Sequence, residues 1–234
     1  MCGRIVLSSA PHVLAEKFYL DMVPDLVPRY NIAPTTDIAA VVPNPKTTGN
    51  LIRMFRWGLV PPWSPGPEAG AKMINARSET VREKPSFREA FAHRRCLIPV
   101  DGFYEWQKRD KVKHPFLFRR KDQEVFALAG LWEQWEYPGG RKLDTCSILT
   151  TAANSTMRPI HHRMPVILPA KDWQVWLNLP ADKAATLTSL LKPCAADLLQ
   201  AHPVSDRVNK PAHDDPTNLD PVWDDPQGQM NLFE

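Results

Sequence analysis

The first four residues, Met1-Cys2-Gly3-Arg4, carry the most distinctive chemistry in the chain. Methionine aminopeptidases remove an initiator methionine when the second residue is small, and Cys qualifies. The product is a 1,2-aminothiol, a free amine and a thiol on adjacent carbons. Such a pair condenses with aldehydes: the amine forms a Schiff base and the thiol closes a five-membered thiazolidine. An N-terminal amine titrates near 7.7–8.0, against about 10.4 for lysine, so much of it is neutral near physiological pH. Taken alone, Cys2-Gly3-Arg4 reads first as an ordinary small residue at a chain end.

Five further segments group polar and aromatic residues beside strand-like runs. They are Tyr30-Asn31-Ile32-Ala33-Pro34-Thr35, Arg56-Trp57-Gly58-Leu59-Val60-Pro61, Asn75-Ala76-Arg77-Ser78-Glu79, Asp101-Gly102-Phe103-Tyr104-Glu105-Trp106 and His161-His162-Arg163-Met164-Pro165. With Cys2-Gly3-Arg4 they form a series that resembles the SRAP (SOS response-associated peptidase) family, in order from residue 2 to about residue 208.

The resemblance implies a protein that shields abasic sites in single-stranded DNA by a thiazolidine crosslink through its N-terminal Cys. It also implies a compact α+β domain around a β-barrel-like core. Cys2 matches the family nucleophile, Asn75 the asparagine beside the N-terminus, Glu105 the acid/base and His161 the active-site histidine. His162 occupies a variable position of the same motif.

Each role has a physical rationale. An abasic deoxyribose is mostly a closed hemiacetal, so a donor such as His161 would help open it. Imine formation then needs a proton delivered to the departing hydroxyl and one taken from the amine. Glu105 could move both if burial among Phe103, Tyr104 and Trp106 raised its affinity for protons. Asn75 carries no mobile proton, but its amide can orient neighbouring groups. The competing assignments are a solvent-facing strand residue for Glu105, a capping loop residue for His161 and a turn residue for Asn75.

Candidate DNA contacts are Arg4, Arg77 and Arg163, whose guanidinium forks match phosphate geometry. Trp57, Trp63 and Trp106 are candidates for base stacking, worth roughly 1–3 kcal/mol per base. Trp63, framed by Pro61 and Pro62, is the best placed of them, while any single Trp reads more readily as core. Arg94-Arg95 and the Lys108–Lys113 cluster read as a solvated face.

Among the 234 residues, 24 are proline, scattered as in a loop-rich fold with short elements. Net charge is +3. Residues 1–120 carry 19 basic and 11 acidic side chains, a net of +8, while residues 121–234 carry 10 and 15, a net of −5. A basic first half fits a polyanionic partner. Cys2, Cys96, Cys146 and Cys194 form no CxxC pair, and no signal segment is evident, which points to a reducing cytoplasm, beside the nucleoid if the source is bacterial. No apolar run approaches the roughly 20 residues of a membrane span. No His or Cys spacing suits a metal, and no cofactor is expected.

These residues need a scaffold. Ser9-Ala10-Pro11 followed by Val13, Leu14 and Phe18 predicts a helix near 10–22. Strand patterns cover 38–42, 51–60, 96–106, 115–119, 125–135, 147–151 and 164–168; helical ones cover 87–93, 171–178 and 182–191. Strands and helices do not alternate, so the expected class is α+β and mostly antiparallel, with peripheral helices; the barrel-like form of its core is what the SRAP resemblance implies. The expected organisation is one domain over 1–208 and an acidic, Pro-rich tail over 209–234, in a monomer. Near the end, Gln229, Met230, Leu232 and Phe233 resemble the short peptides that dock on the bacterial sliding clamp. Packing of Leu232 and Phe233 on their own domain is the alternative. Two other functions remain open for the whole chain. One is an N-terminal-nucleophile cysteine peptidase acting on itself; the other is a non-covalent binder of single-stranded or modified DNA. Strand cleavage by a lyase step is compatible with the Schiff base.

Overall fold

A computed structural model describes residues 2–222. Gln229, Met230, Leu232 and Phe233 lie outside the described residues.

The chain opens with β1 (Ile5–Leu7), α1 (Pro11–Lys17), β2 (Arg29–Ile32), β3 (Asp37–Pro43) and β4 (Asn50–Trp57). It continues through β5 (Asn75–Arg77), α2 (Pro85–His93), β6 (Arg95–Val100), β7 (Gly102–Arg109) and β8 (Val112–Arg120). Then follow β9 (Phe126–Glu136), β10 (Lys142–Ala152), β11 (Arg163–Pro165), β12 (Ile167–Leu168), α3 (Trp173–Asn178) and β13 (Leu199–Pro203).

Five strands close on themselves. β3 pairs with β4 and β6, β6 with β9, β9 with β10, and β10 returns to β4. Only the β10–β4 closure is parallel. β5 and β11 extend this barrel along the far part of β10, and β12 joins β9. The remaining strands make a second, antiparallel sheet in the order β13-β8-β7-β1-β2. The class is therefore α+β with a mostly antiparallel barrel, as expected.

Apolar side chains fill the barrel, among them Phe55, Trp57, Ile98, Phe126 and Ile148. The helices pack outside it. Phe18, at the end of α1, stacks on Trp173 of α3 at 4.5 Å between ring centres. Arg95 is buried rather than solvated. Its guanidinium donates to the carbonyls of Phe91 (2.8 Å) and Ala92 (2.5 Å) in α2 and of Trp176 in α3 (2.5 Å). A cation aimed at two helix C-terminal ends complements their partial negative charge.

Tertiary contacts redraw several sequence boundaries. The run 96–106 is two strands in two sheets, broken at Asp101. The run 164–168 breaks at Val166, whose N–H donates to Leu149 of β10 while its carbonyl accepts from Ala129 of β9. The helix expected to reach 22 stops at Lys17, and Tyr19 takes a positive φ of 54°. Residues 182–191 form tight 3-10 turns instead of an α-helix.

The segment expected as a tail from 209 stays on the second sheet through Val222. The Asp214 carboxylate accepts from the backbone N–H groups of Tyr30 (2.5 Å) and Asn31 (2.8 Å), and pairs with Arg29. Val222 N–H donates to the Pro203 carbonyl at 3.0 Å. Acidic composition alone suggested solvent; here the carboxylate satisfies the free backbone donors of an edge strand.

Candidate active site

The N-terminal segment enters the second sheet between two partners. β1 sets Ile5 opposite Phe103 of β7 and opposite Ile32 of β2. Tyr104 N–H donates to the Arg4 carbonyl at 2.9 Å, which carries the β1–β7 pairing one residue further. The next step of that register brings Gly3 beside Glu105.

Strand alternation explains why Glu105 is buried. On β7, Tyr104 and Trp106 face the small cluster made with Val6, Leu117, Val204 and Val208. Phe103 and Glu105 face the opposite way, and Phe103 joins the main core. The Glu105 carboxyl therefore lies away from solvent, on the side where the chain's first residues arrive.

Asn75 comes from β5, which runs parallel to β10 with Asn75 opposite Ile148. Its Nδ2 donates to the Cys2 carbonyl at 2.9 Å. Ala76 is buried on the other face, so alternation puts Arg77 on the same face as Asn75, exposed. His161 ends the loop between β10 and β11. Its Nδ1 lies 3.0 Å from the Arg163 backbone nitrogen and 3.1 Å from the Arg163 carbonyl oxygen. A neutral ring accepts from that N–H and keeps its proton on Nε2; a protonated ring donates to that carbonyl instead.

The electrostatics tie these groups together. Burial pushes the Cys2 thiol well above its ordinary range, and the charge of Glu105 pushes it further. The chain's α-ammonium and a hydrogen bond from the Arg4 backbone N–H oppose this without reversing it. Burial pulls His161 below its ordinary value, the Glu105 carboxylate opposing and the ammonium adding to it. Glu105 thus acts on both Cys2 and His161, and Asn75 holds the Cys2 backbone. Four residues that are 30 or more positions apart in the sequence meet at one place.

The family model described as SOS response associated peptidase (SRAP) matches residues 1–211. The chain belongs to the SRAP family. Abasic site processing protein YoqW of Bacillus subtilis (strain 168) is 43% identical over 220 residues, covering 92% of this chain and 97% of YoqW. Abasic site processing protein HMCES of Gallus gallus is 33% identical over 192 residues, 72% of this chain and 56% of that protein. A crystal structure of a protein from Bacteroides thetaiotaomicron superposes with a TM-score of 0.82 at 28% identity, covering 95% of this chain and 100% of that one.

In this SRAP chain, not every expected DNA contact is available. Trp57 is fully buried in the barrel, and its Nε1 donates to the Ile74 carbonyl at 2.9 Å, so it cannot stack on a base. Arg4 is buried; Nη1 donates to Asn31 Oδ1 (2.5 Å) and to the Val208 carbonyl, and its guanidinium lies 5.8 Å from the Trp106 ring centre. Arg163 spans Glu79 with both ends of its fork (2.5 and 2.9 Å) and reaches the Thr150 carbonyl (2.6 Å). These two arginines organise the site from behind. Trp63, 61% exposed, and Arg77 remain open to a ligand.

Asn31 and Gln107 are site-building residues that the sequence reading did not single out. Asn31 is fully buried; besides accepting from Arg4 it donates to the carbonyls of Val208 (3.2 Å), Lys210 (3.0 Å) and His213 (2.7 Å). It lies inside a segment already conspicuous for its polar residues, whereas Gln107 had no signal beyond its place two residues after Glu105. Among the described residues, no group of three or more His, Cys, Asp or Glu is placed to hold a metal, and no helix is long and apolar enough to cross a membrane.

Proposed function

We propose that this protein processes abasic sites in single-stranded DNA by crosslinking to them through Cys2, shielding them during replication. The reading rests above all on one observation: Asn75 holds the Cys2 backbone while Glu105 acts electrostatically on both the Cys2 thiol and His161. The relatives' names supply the substrate class.

Loss of Met1 frees the Cys2 nitrogen. His161 donates to the ring oxygen of the sugar, which opens to the aldehyde. The amine attacks C1′, and the carbinolamine loses water as Glu105 protonates the departing hydroxyl, giving the imine. The Cys2 sulfur then adds to C1′ while the thiol proton ends on the nitrogen, closing the thiazolidine. One water is released and no oxidant is needed. A neutral thiol suits this order, because the amine reacts first and the sulfur has only to add to an activated carbon. Arg77 and Trp63 contact the strand. Gln229, Met230, Leu232 and Phe233 tether the protein to a sliding clamp; deleting 229–234 would abolish clamp pull-down if so.

The deciding experiment incubates Met1-processed protein with an oligonucleotide bearing one abasic site, followed by a denaturing gel. A shifted band requiring Cys2 is expected. Cys2→Ser keeps the amine, so it should give a transient imine but no heat-stable adduct; a stable adduct of normal yield would sink the thiazolidine step. Mass spectrometry showing Met1 retained on active protein would sink the whole reading. A peptidase of N-terminal-nucleophile type uses the same Cys2, and the family's name favours it as the second reading. Cleavage of unrelated peptides without any DNA adduct would favour that one instead.

A further inference from the structure

Ala153, Asn154, Ser155, Arg158 and Pro159 line an open cavity of about 410 Å³ in the loop between β10 and β11. That volume suits a small polar ligand or one unit of a polymer.

The loop, which carries His161, is braced internally by two hydrogen bonds and tied to β7 by a third. His161 N–H donates to the Met157 carbonyl (3.0 Å) and Ala153 N–H to the His162 carbonyl (3.1 Å). Gln107 Nε2 donates to the Pro159 carbonyl at 2.9 Å. Gln107 is two residues beyond Glu105 on β7, so its side chain leaves the strand on the same face, about 7 Å further along. The Pro159 edge of the cavity is thus tied to the strand that carries Glu105, two residues beyond it.

Its shape is set in advance. Asn154 Oδ1 accepts from Met157 N–H (3.0 Å) and its Nδ2 donates to the Cys194 carbonyl (3.1 Å). Thr156 Oγ1 donates to the Ala196 carbonyl at 2.7 Å. Arg158 is exposed and makes no ion pair or side-chain hydrogen bond among the described residues. Arg120, Arg163 and Arg207, by contrast, each hold a carboxylate. The sequence has no acidic residue between Asp144 and Asp172, while this stretch carries Arg158, His161, His162 and Arg163. An uncompensated guanidinium at the rim of a preformed cavity is suited to an anion.

We propose that this cavity is a phosphodiester subsite. Arg158 pairs there with a backbone phosphate next to the abasic sugar, and the Ser155 hydroxyl offers a neutral donor. The assignment rests on the function proposed above and adds to it the residue that sets the strand's register over Cys2.

The test uses the full chain and single-stranded DNA carrying a tetrahydrofuran abasic analogue, which has no aldehyde and reports binding alone. Each phosphate contact on a single strand contributes about 0.7 to the slope of log K against log salt. Arg158→Ala should lower the slope by about that much and weaken binding about tenfold. Arg158→Lys, which keeps the charge, should restore the slope. A methylphosphonate at the contacted linkage should weaken wild-type protein but cost Arg158→Ala nothing further. An unchanged slope in Arg158→Ala, or penalties that add at every linkage, would overturn the subsite. If wild-type protein still crosslinks natural abasic DNA, that failure leaves the chemistry at Cys2 standing. If it forms no crosslink, the chemistry fails, and the salt slope still decides the cavity.

Discussion

Cys2 and His161 are both biased towards their neutral forms by the same cause, removal from water, although this moves the thiol up and the imidazole down. A neutral imidazole can give its Nε2 proton to a sugar only by becoming an anion, so the proposed ring opening would draw on the protonated form, or on a proton relayed through Glu105. Glu105→Gln keeps the side chain's shape and removes the relay. Its crosslinking rate on abasic DNA, followed by quenched denaturing gels, should fall about 10²-fold or more. The stability of the fold reports on His161 separately. Unfolded, it titrates near its ordinary 6.5; folded, it takes up a proton only at lower pH. The unfolded chain thus binds more protons in that interval, and stability falls as pH drops through it. Urea midpoints at pH 7.5 and 5.5 should show that fall, and His161→Gln should reduce it.

At the level of elements, the decisive feature is the corner between β6 and β7. Asp101 sits there, buried, with its N–H donating to the Val6 carbonyl at 2.8 Å. Its carboxylate accepts from the backbone N–H groups of Ser8 and Ser9 (2.5 and 2.8 Å) and from the Ser9 hydroxyl (2.5 Å). This cluster moves the chain from the barrel into the second sheet and pins the start of α1 beside it. It also fixes β1 against β7, and with it the approach of Cys2 to Glu105. Asp101→Ala leaves those backbone donors without their partner and should cost about 1–3 kcal/mol in denaturant unfolding. A second constraint lies at the end of β4. Gly58 has φ 136°, and a Cβ there would meet the Gly70 carbonyl oxygen at 2.6 Å, so this turn admits no side chain.

Across the whole molecule, the barrel interior holds Cys96 and Cys146, both fully buried and both pushed upwards by desolvation. Unfolded, each thiol would ionise near 9.0; folded, neither does so there. Their contribution to stability is complete below that value and is lost as pH rises beyond it. Guanidinium midpoints between pH 8 and 10.5 should decline, and Cys96→Ala should flatten the decline relative to wild type, whatever packing it loses at all pH values.

The sequence by itself determined the class of the fold, because long runs of alternating or wholly apolar residues without regular helices between them permit little else. It also supplied the proposed reactive group, since a 1,2-aminothiol would need only Cys at residue two and loss of Met1. What it could not contain was which guanidinium is spent inside the protein and which is left over. Arg4, Arg77, Arg158 and Arg163 look alike in one dimension. Burial against Asn31 for Arg4, the Glu79 carboxylate for Arg163 and the lack of an ion pair at Arg158 among the described residues distinguish them, and each depends on strands that meet only after folding. The same holds for Trp57 and Trp63, six residues apart, one inside the barrel and one in solvent. Partners distant along the chain decide desolvation and charge, so only the tertiary structure could assign them.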